Sequence, residues 1–199
     1  MSSHYTDVDR LILERWSEVL DLHDAFRTLG TRIQDNIDGV LVRTERWLDE
    51  QGYRCDRDPK MPEVSAWKPS WEAKRGQPVV RLTIGEFAPL GYGKIRGDHP
   101  YLWVYTHNLD LLKLKQPERV QFGRDLRAAI GPDAAKWDDE DVTDGESPLG
   151  RYLIDVTDAK RVEMVANPQQ LLEFIQAGFS QLFELSSAVD AQLAARQIR

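Results

Sequence analysis

The chain predicts an α+β fold, a small and mainly antiparallel β-sheet packed against long N- and C-terminal amphipathic helices. Apolar residues recur at helical spacing through the first fifty positions and again after Pro168. Between them lie short segments in which apolar and polar residues alternate, separated by clusters of proline and glycine. The chain has 199 residues, 41% of them hydrophobic and 30% charged, a balance that fits one globular domain with a real core. The expected organisation is a single domain over 1–199, with a helical arm (1–52), a β-rich core with one helix (53–166) and a C-terminal helix (167–199).

The arm opens with Thr6 followed by Asp9, an N-terminal capping pattern. Val8, Leu11, Ile12, Trp16, Val19, Leu20, Phe26 and Leu29 then follow a helical stripe. Gly30 with Thr31-Arg32-Ile33-Gln34 reads as a helix stop and a second cap. Yet Ile12, Val19, Phe26, Ile33, Val40 and Trp47 lie seven apart straight through that glycine. The pattern leaves open one helix of about 45 residues and two shorter helices sharing one seam. Gly52 is the expected C-terminal cap.

Tyr53 to Arg57 reads as a short strand, and Pro59, Pro62, Pro69 and Pro78 mark the following stretch as irregular. Val79 to Phe87 is the next strand, with Val80, Leu82 and Ile84 on one face and Arg81 and Thr83 on the other. A glycine-rich loop over 88–98 leads into Tyr101-Leu102-Trp103-Val104-Tyr105. The two strands are expected to pair as an antiparallel hairpin. A helix from Pro117 to Ile130 closes at Gly131-Pro132, and 133–149 reads as a polar, acidic loop. Arg151 to Val156 is a further strand, with Tyr152, Ile154 and Val156 expected on the apolar face. Pro168 opens a long helix through Leu171, Leu172, Ile175, Phe179, Leu182, Phe183, Val189 and Leu193.

The net charge is −7, unevenly spread. Residues 53–127 hold fourteen Lys or Arg against nine Asp or Glu, a local +5, and the remainder holds twelve against twenty-four, or −12. The split reads either as a basic surface for an anionic partner or as acidic helices neutralising a basic middle. A lone Cys55 excludes an internal disulfide and a multi-cysteine zinc site. No apolar run reaches the roughly 18 residues needed to span a bilayer, and the N-terminus lacks the pattern of a secretory signal. The expected setting is reducing and cytoplasmic, with no membrane partner.

The candidate site is the aromatic strand. As a strand it presents His99, Tyr101, Trp103, Tyr105 and His107 on one face and Leu102 and Val104 on the other. His99 and His107 would lie about 26 Å apart, too far to share a metal. If the three strands share one sheet, Arg81, Thr83, Tyr101, Trp103, Tyr105 and Asp155 gather on its polar side. Such a face serves as core if covered, or as a protein interface if open. With Arg81, Lys94 and Arg96 it also resembles the stacking surfaces that hold single-stranded nucleic acid. The loop Gly91–Gly97 lacks the following helix that phosphate-binding loops require. No cofactor or metal site follows from the sequence.

A second constellation is Asp58 with Glu72-Ala73-Lys74, after a helix-to-strand passage. In order and spacing it is similar to the PD-(D/E)XK nuclease superfamily. That resemblance implies two carboxylates holding Mg²⁺ and a lysine at the attacking water. The chain departs from the pattern over 65–76, which lacks the apolar run of a central strand and contains Pro69. The primary expectation is therefore a non-enzymatic partner-binding or regulatory protein using Arg81, Lys94, Arg96, Tyr101, Trp103 and Tyr105. The nuclease or an inactive relative is the alternative. The near-heptad arm adds the expectation of a homodimer.

Overall fold

The structure is a computed structural model that describes residues 6–58, 62–73, 76–88, 99–138 and 146–196, with the side chains of Asp58 and His107 outside that description. Helix α1 (Asp7–Glu14) starts where expected: the Asp9 amide donates to Thr6 Oγ1 and the Thr6 amide donates to Asp9 Oδ2. Two of the four backbone donors left open at the helix start are thereby satisfied. Arg15, with φ −114° and ψ 32°, leaves helical geometry and separates α1 from α2 (Trp16–Glu50). At Gly30, where the pattern leaves two readings open, the helix runs through without a stop. Instead of capping a new helix, the Thr31 hydroxyl donates back to the Arg27 carbonyl at 3.2 Å. The apolar stripe holds the chain helical across a residue that weakens helices by roughly 0.5–1 kcal/mol.

The 35 residues of α2 make a rod about 52 Å long. It ends as Gly52 implies, at φ +81°, where the amide of Tyr53 reaches the Leu48 carbonyl and that of Gly52 the Asp49 carbonyl. This double closure is the Schellman arrangement, and only its positive-φ position calls for glycine.

The sheet is a five-stranded antiparallel meander: β1 (Arg54–Asp58), β2 (Glu63–Trp67), β3 (Arg81–Gly85), β4 (Tyr101–Tyr105) and β5 (Leu149–Tyr152), in that spatial order. The predicted hairpin is β3–β4, with Leu82 opposite Val104 and Ile84 opposite Leu102. The inner face carries Val64, Ala66, Leu82, Ile84, Leu102, Val104 and Leu149, all buried. Burying each of the larger aliphatics contributes about 1.5–3 kcal/mol relative to leaving it exposed.

The helical layer on that face is α5 (Pro168–Phe183), which packs on β3 and β4, with α2 against β1 and α5. The α5–sheet approach is close at Gly178, where a Cβ would come within 2.7 Å of Ile84 Cδ1. Trp47 of α2 stacks on Phe183 at 5.8 Å, and Tyr53 lies parallel to Phe183 at 4.1 Å. Helix α3 (Gln116–Ala129) packs against α6 (Ser186–Ala195), with Arg196 over the Phe122 ring. Helix α4 (Asp158–Ala166) lies against α2 and α5. Among the described residues no helix is long and apolar enough to cross a membrane.

Several sequence-based expectations are corrected. Strand β2 occupies part of the proline-rich stretch expected to be irregular; its Val64 and Ala66 alternate with Glu63, Ser65 and Trp67, a short alternation rather than an apolar run. Strand β5 begins two residues early and has the opposite phase. Gly150 faces Trp103 and Tyr152 faces Tyr101, while Arg151 points to the helices and bonds Gln181 of α5. The chain leaves the sheet after Tyr152, so Ile154, Val156 and Asp155 do not share its pleat. Helix α4 is a second helix within 53–166, and the C-terminal helix divides at Glu184-Leu185 into α5 and α6. Part of the loop read over 133–149 is a 3-10 turn, Gly131–Lys136, followed by the buried Trp137.

Candidate functional site

The outer face of the sheet is built in three cross-strand rows. Asp58, Glu63, Gly85, Tyr101 and Tyr152 form the first row, and Asp56, Ser65, Thr83, Trp103 and Gly150 the second. Arg54, Trp67, Arg81 and Tyr105 form the third. Arg81, Tyr101, Trp103 and Tyr105 therefore share one surface, as the sequence implies. Lys94 and Arg96 lie outside the described residues, as does the Gly91–Gly97 loop. His99 and His107 fall beyond β4 and do not extend its aromatic row. The Nδ1 of His99 is buried without a hydrogen-bond partner.

The floor of this face is polar and closed. The hydroxyls of Ser65 and Thr83 bond to each other at 2.7 Å and are buried. The Tyr101 ring crosses the top of Gly85, where a Cβ would meet its Cζ at 2.3 Å. The ring so seated donates its hydroxyl to Glu63 Oε2 at 2.5 Å. Burial, reinforced by the Glu63 charge, pushes the Tyr101 hydroxyl far above its ordinary pKa. Tyr101 is thus a neutral anchor rather than a surface contact. Likewise the Trp103 indole covers Gly150, where a Cβ would lie 2.8 Å from its Nε1.

On that floor stands a cluster of aromatic rings, partly exposed. Tyr101 and Trp103 stack at 4.3 Å, Tyr105 meets Trp103 edge-on at 5.3 Å, and Tyr152 meets it edge-on at 5.9 Å. Trp103 and Tyr105 are half-buried, and Tyr152 is 40% exposed. The Arg81 guanidinium lies 5.7 Å from the centre of the Trp67 ring and 4.0 Å from Asp56. Tyr152 also borders a groove of about 690 Å³ between β5 and α5, lined by Arg151, Ile154 and Phe174. Alternation over 151–156 implies the opposite face for Tyr152, and Trp67 lies among the prolines of 59–78 that imply irregular structure. Gly150, the small residue that the Trp103 ring needs opposite it, is the signal that could have set the phase of β5 and so found Tyr152 two residues on; Trp67 carries no such marker.

The alternative constellation is distributed differently. Asp58 pairs with Glu63 at one end of the β1–β2 hairpin. The Glu72 carboxylate accepts from Arg54 Nη1 at 2.7 and 2.8 Å and from Trp67 Nε1 at 2.9 Å. Arg54 and Trp67 pair at the other end of that hairpin, four residue steps or about 13 Å along the strand. Lys74 lies outside the described residues. Among the described residues no group of three or more His, Cys, Asp or Glu comes together as a metal site. Cys55, on β1, is half-buried, and burial pushes its thiol up to about 11.

No protein-family model, curated protein or solved structure matches this chain.

Proposed function

We propose that this chain is a non-enzymatic partner-binding protein whose outer sheet face receives another protein. The observation that carries the reading is the asymmetry of the sheet. Its aliphatic face lies under α2 and α5, while on the other face Trp103 and Tyr105 are half-buried and Tyr152 is exposed. Tyr, Trp and Arg are the residues that anchor protein interfaces; Trp103 is seated on Gly150, and Tyr105 and Tyr152 pack edge-on against it, so the rings are positioned before a partner arrives. Charge favours a protein over a nucleic acid. Arg54 and Arg81 share the surface with Asp56, Glu63 and Glu72, which phosphates would have to meet. We give Asp58, Glu72 and Lys74 no catalytic role, because the Glu72 carboxylate is already engaged by Arg54 and Trp67.

The same reading includes a homodimer formed through the helical arm, which carries an exposed apolar stripe over α1 and the first half of α2. The test of the sheet face is quantitative co-purification from the native host with the wild-type chain and a Tyr105→Ala/Tyr152→Ala variant. Loss of two anchor rings is expected to reduce recovery of the bound protein about tenfold or more. Equal recovery by both proteins, or recovery of nucleic acid in place of protein, overturns the proposal.

A further inference from the structure

We infer that the arm pairs with the arm of a second copy in antiparallel orientation, about a two-fold axis near Asp24, an inference that rests on the proposed self-association. Within α2 the residues Val19, Leu22, Phe26, Leu29 and Ile33 alternate spacings of three and four, the pattern of a two-helix seam. Ile33 is buried by its own chain. Leu22, Phe26 and Leu29 are 70%, 66% and 50% exposed, and Trp16 beside them is 53% exposed. The stripe that meets the body from Ile33 onward thus continues along the arm, exposed at Leu22, Phe26 and Leu29 and half-buried at Val19.

The body dictates the orientation. It covers the very stripe that a partner helix would occupy beyond Ile33. A parallel partner would bring its own body to that same level, on the same side of the seam, and the two bodies would collide. An antiparallel partner carries its body at the opposite end of the overlap. Pairing Leu22 with Phe26 of the partner subunit also sets Val19 against Leu29 of the partner subunit and ends the seam with Arg15 level with the partner's Ile33. That is where α1 breaks from α2.

Charge agrees with this register. Glu18 and Arg32 flank the seam on the same side, seven and seven residues from Ala25. Antiparallel pairing sets each Glu18 beside Arg32 of the partner subunit, twice per dimer, whereas parallel pairing offers Glu18 only His23. Within its own chain Glu18 has the exposed Arg15, and Arg32 has no ionic partner among the described residues. The exposed parts of Phe26, Leu22 and Leu29, with Trp16 beside them, amount to several hundred Å² per chain, given about 150–250 Å² for a whole aromatic side chain. With the flanking polar groups this approaches the roughly 800 Å² per partner of a standard interface.

Light scattering and cysteine cross-linking test the arrangement. The wild-type chain is expected at about twice its 22.9 kDa mass, and Phe26→Glu at 22.9 kDa. In a Cys55→Ser background, Val19→Cys mixed with Leu29→Cys is expected to form the mixed disulfide on oxidation, while neither variant cross-links to itself. Self-cross-linking of each variant without the mixed product shows a parallel dimer, which overturns the orientation and leaves self-association standing. A wild-type mass of 22.9 kDa that does not change with concentration removes both. A second test leaves Cys55 in place: Glu18→Arg and Arg32→Glu each weaken dimerisation, and the double variant restores it. A double variant as weak as either single one overturns the register.

Discussion

Replacing Gly85 by alanine tests how the outer face is held. The glycine backbone is one that any residue adopts, so no conformational strain accompanies the change. The new methyl, however, would sit 2.3 Å from Tyr101 Cζ and 2.4 Å from its hydroxyl. Carbon–carbon contact needs about 3.5–4.0 Å, so the ring must move by more than about 1 Å. That movement lifts the hydroxyl away from Glu63 Oε2, now 2.5 Å distant. Losing a hydrogen bond to a carboxylate costs about 1.5–3 kcal/mol. Stiffening the unfolded chain returns about 0.4–1 kcal/mol. The net expectation for Gly85→Ala is a loss of about 1–2 kcal/mol, read as a lower urea midpoint with an unchanged slope. The corresponding fall in Tm is about 2–8 °C for a chain of this size. In a Tyr101→Ala background the three atoms nearest the new methyl are gone, and the same substitution is expected to stabilise by about 0.4–1 kcal/mol. The sign reversal is the signature of the seat. An equal loss in both backgrounds would refute it and point to a role for Gly85 unrelated to the ring.

Two further outcomes follow from local chemistry. Asn167 caps α5 by accepting from the amides of Gln169 and Gln170, so Asn167→Ala is expected to cost about 1 kcal/mol in urea unfolding and Asn167→Gly only a few tenths. Equal costs would show that the cap bonds contribute nothing. For Cys55, burial, followed by the Glu45 charge, raises the thiol from an ordinary 9.0 to about 11. The folded chain therefore keeps this proton where the unfolded chain releases it, so stability is unaffected below about pH 9 and falls as pH rises toward 11. At pH 8 only about one folded molecule in a thousand carries the thiolate, and alkylation of the native protein is expected to be slow. Rapid native alkylation at pH 8, or the same alkaline loss of stability in Cys55→Ser, contradicts this.

The helices and the hairpin were the readable parts because their signals are local. Thr6 with Asp9, Gly52, Pro168 and the seven-residue stripe each act within a turn or two of chain. The β3–β4 pairing was readable because alternation over Arg81–Gly85 and Tyr101–Tyr105 assigns both faces at once. Strand β2 was hidden because proline density outweighed a short alternation of Val64 and Ala66. The phase of β5 was hidden because alternation runs past Tyr152 in the sequence, while the strand itself ends there. For the site, four of the six expected residues could be grouped from strand phase alone, since the period-two geometry needs no tertiary information.

By itself, the sequence determined the α+β class, the capped amphipathic helices, and the gathering of Arg81, Tyr101, Trp103 and Tyr105 on one side of a hairpin. These follow from backbone periodicity and from the chemistry of chain ends. Only the tertiary structure decided which side of the sheet the helices cover, where Tyr152 and Trp67 join the cluster, and that Tyr101 anchors beneath the others. It also decided that the stripe of α2 is buried from Ile33 onward and exposed at Leu22, Phe26 and Leu29 before it. The reason is that burial depends on what packs opposite a face, and those residues lie a hundred or more positions away in α4 and α5.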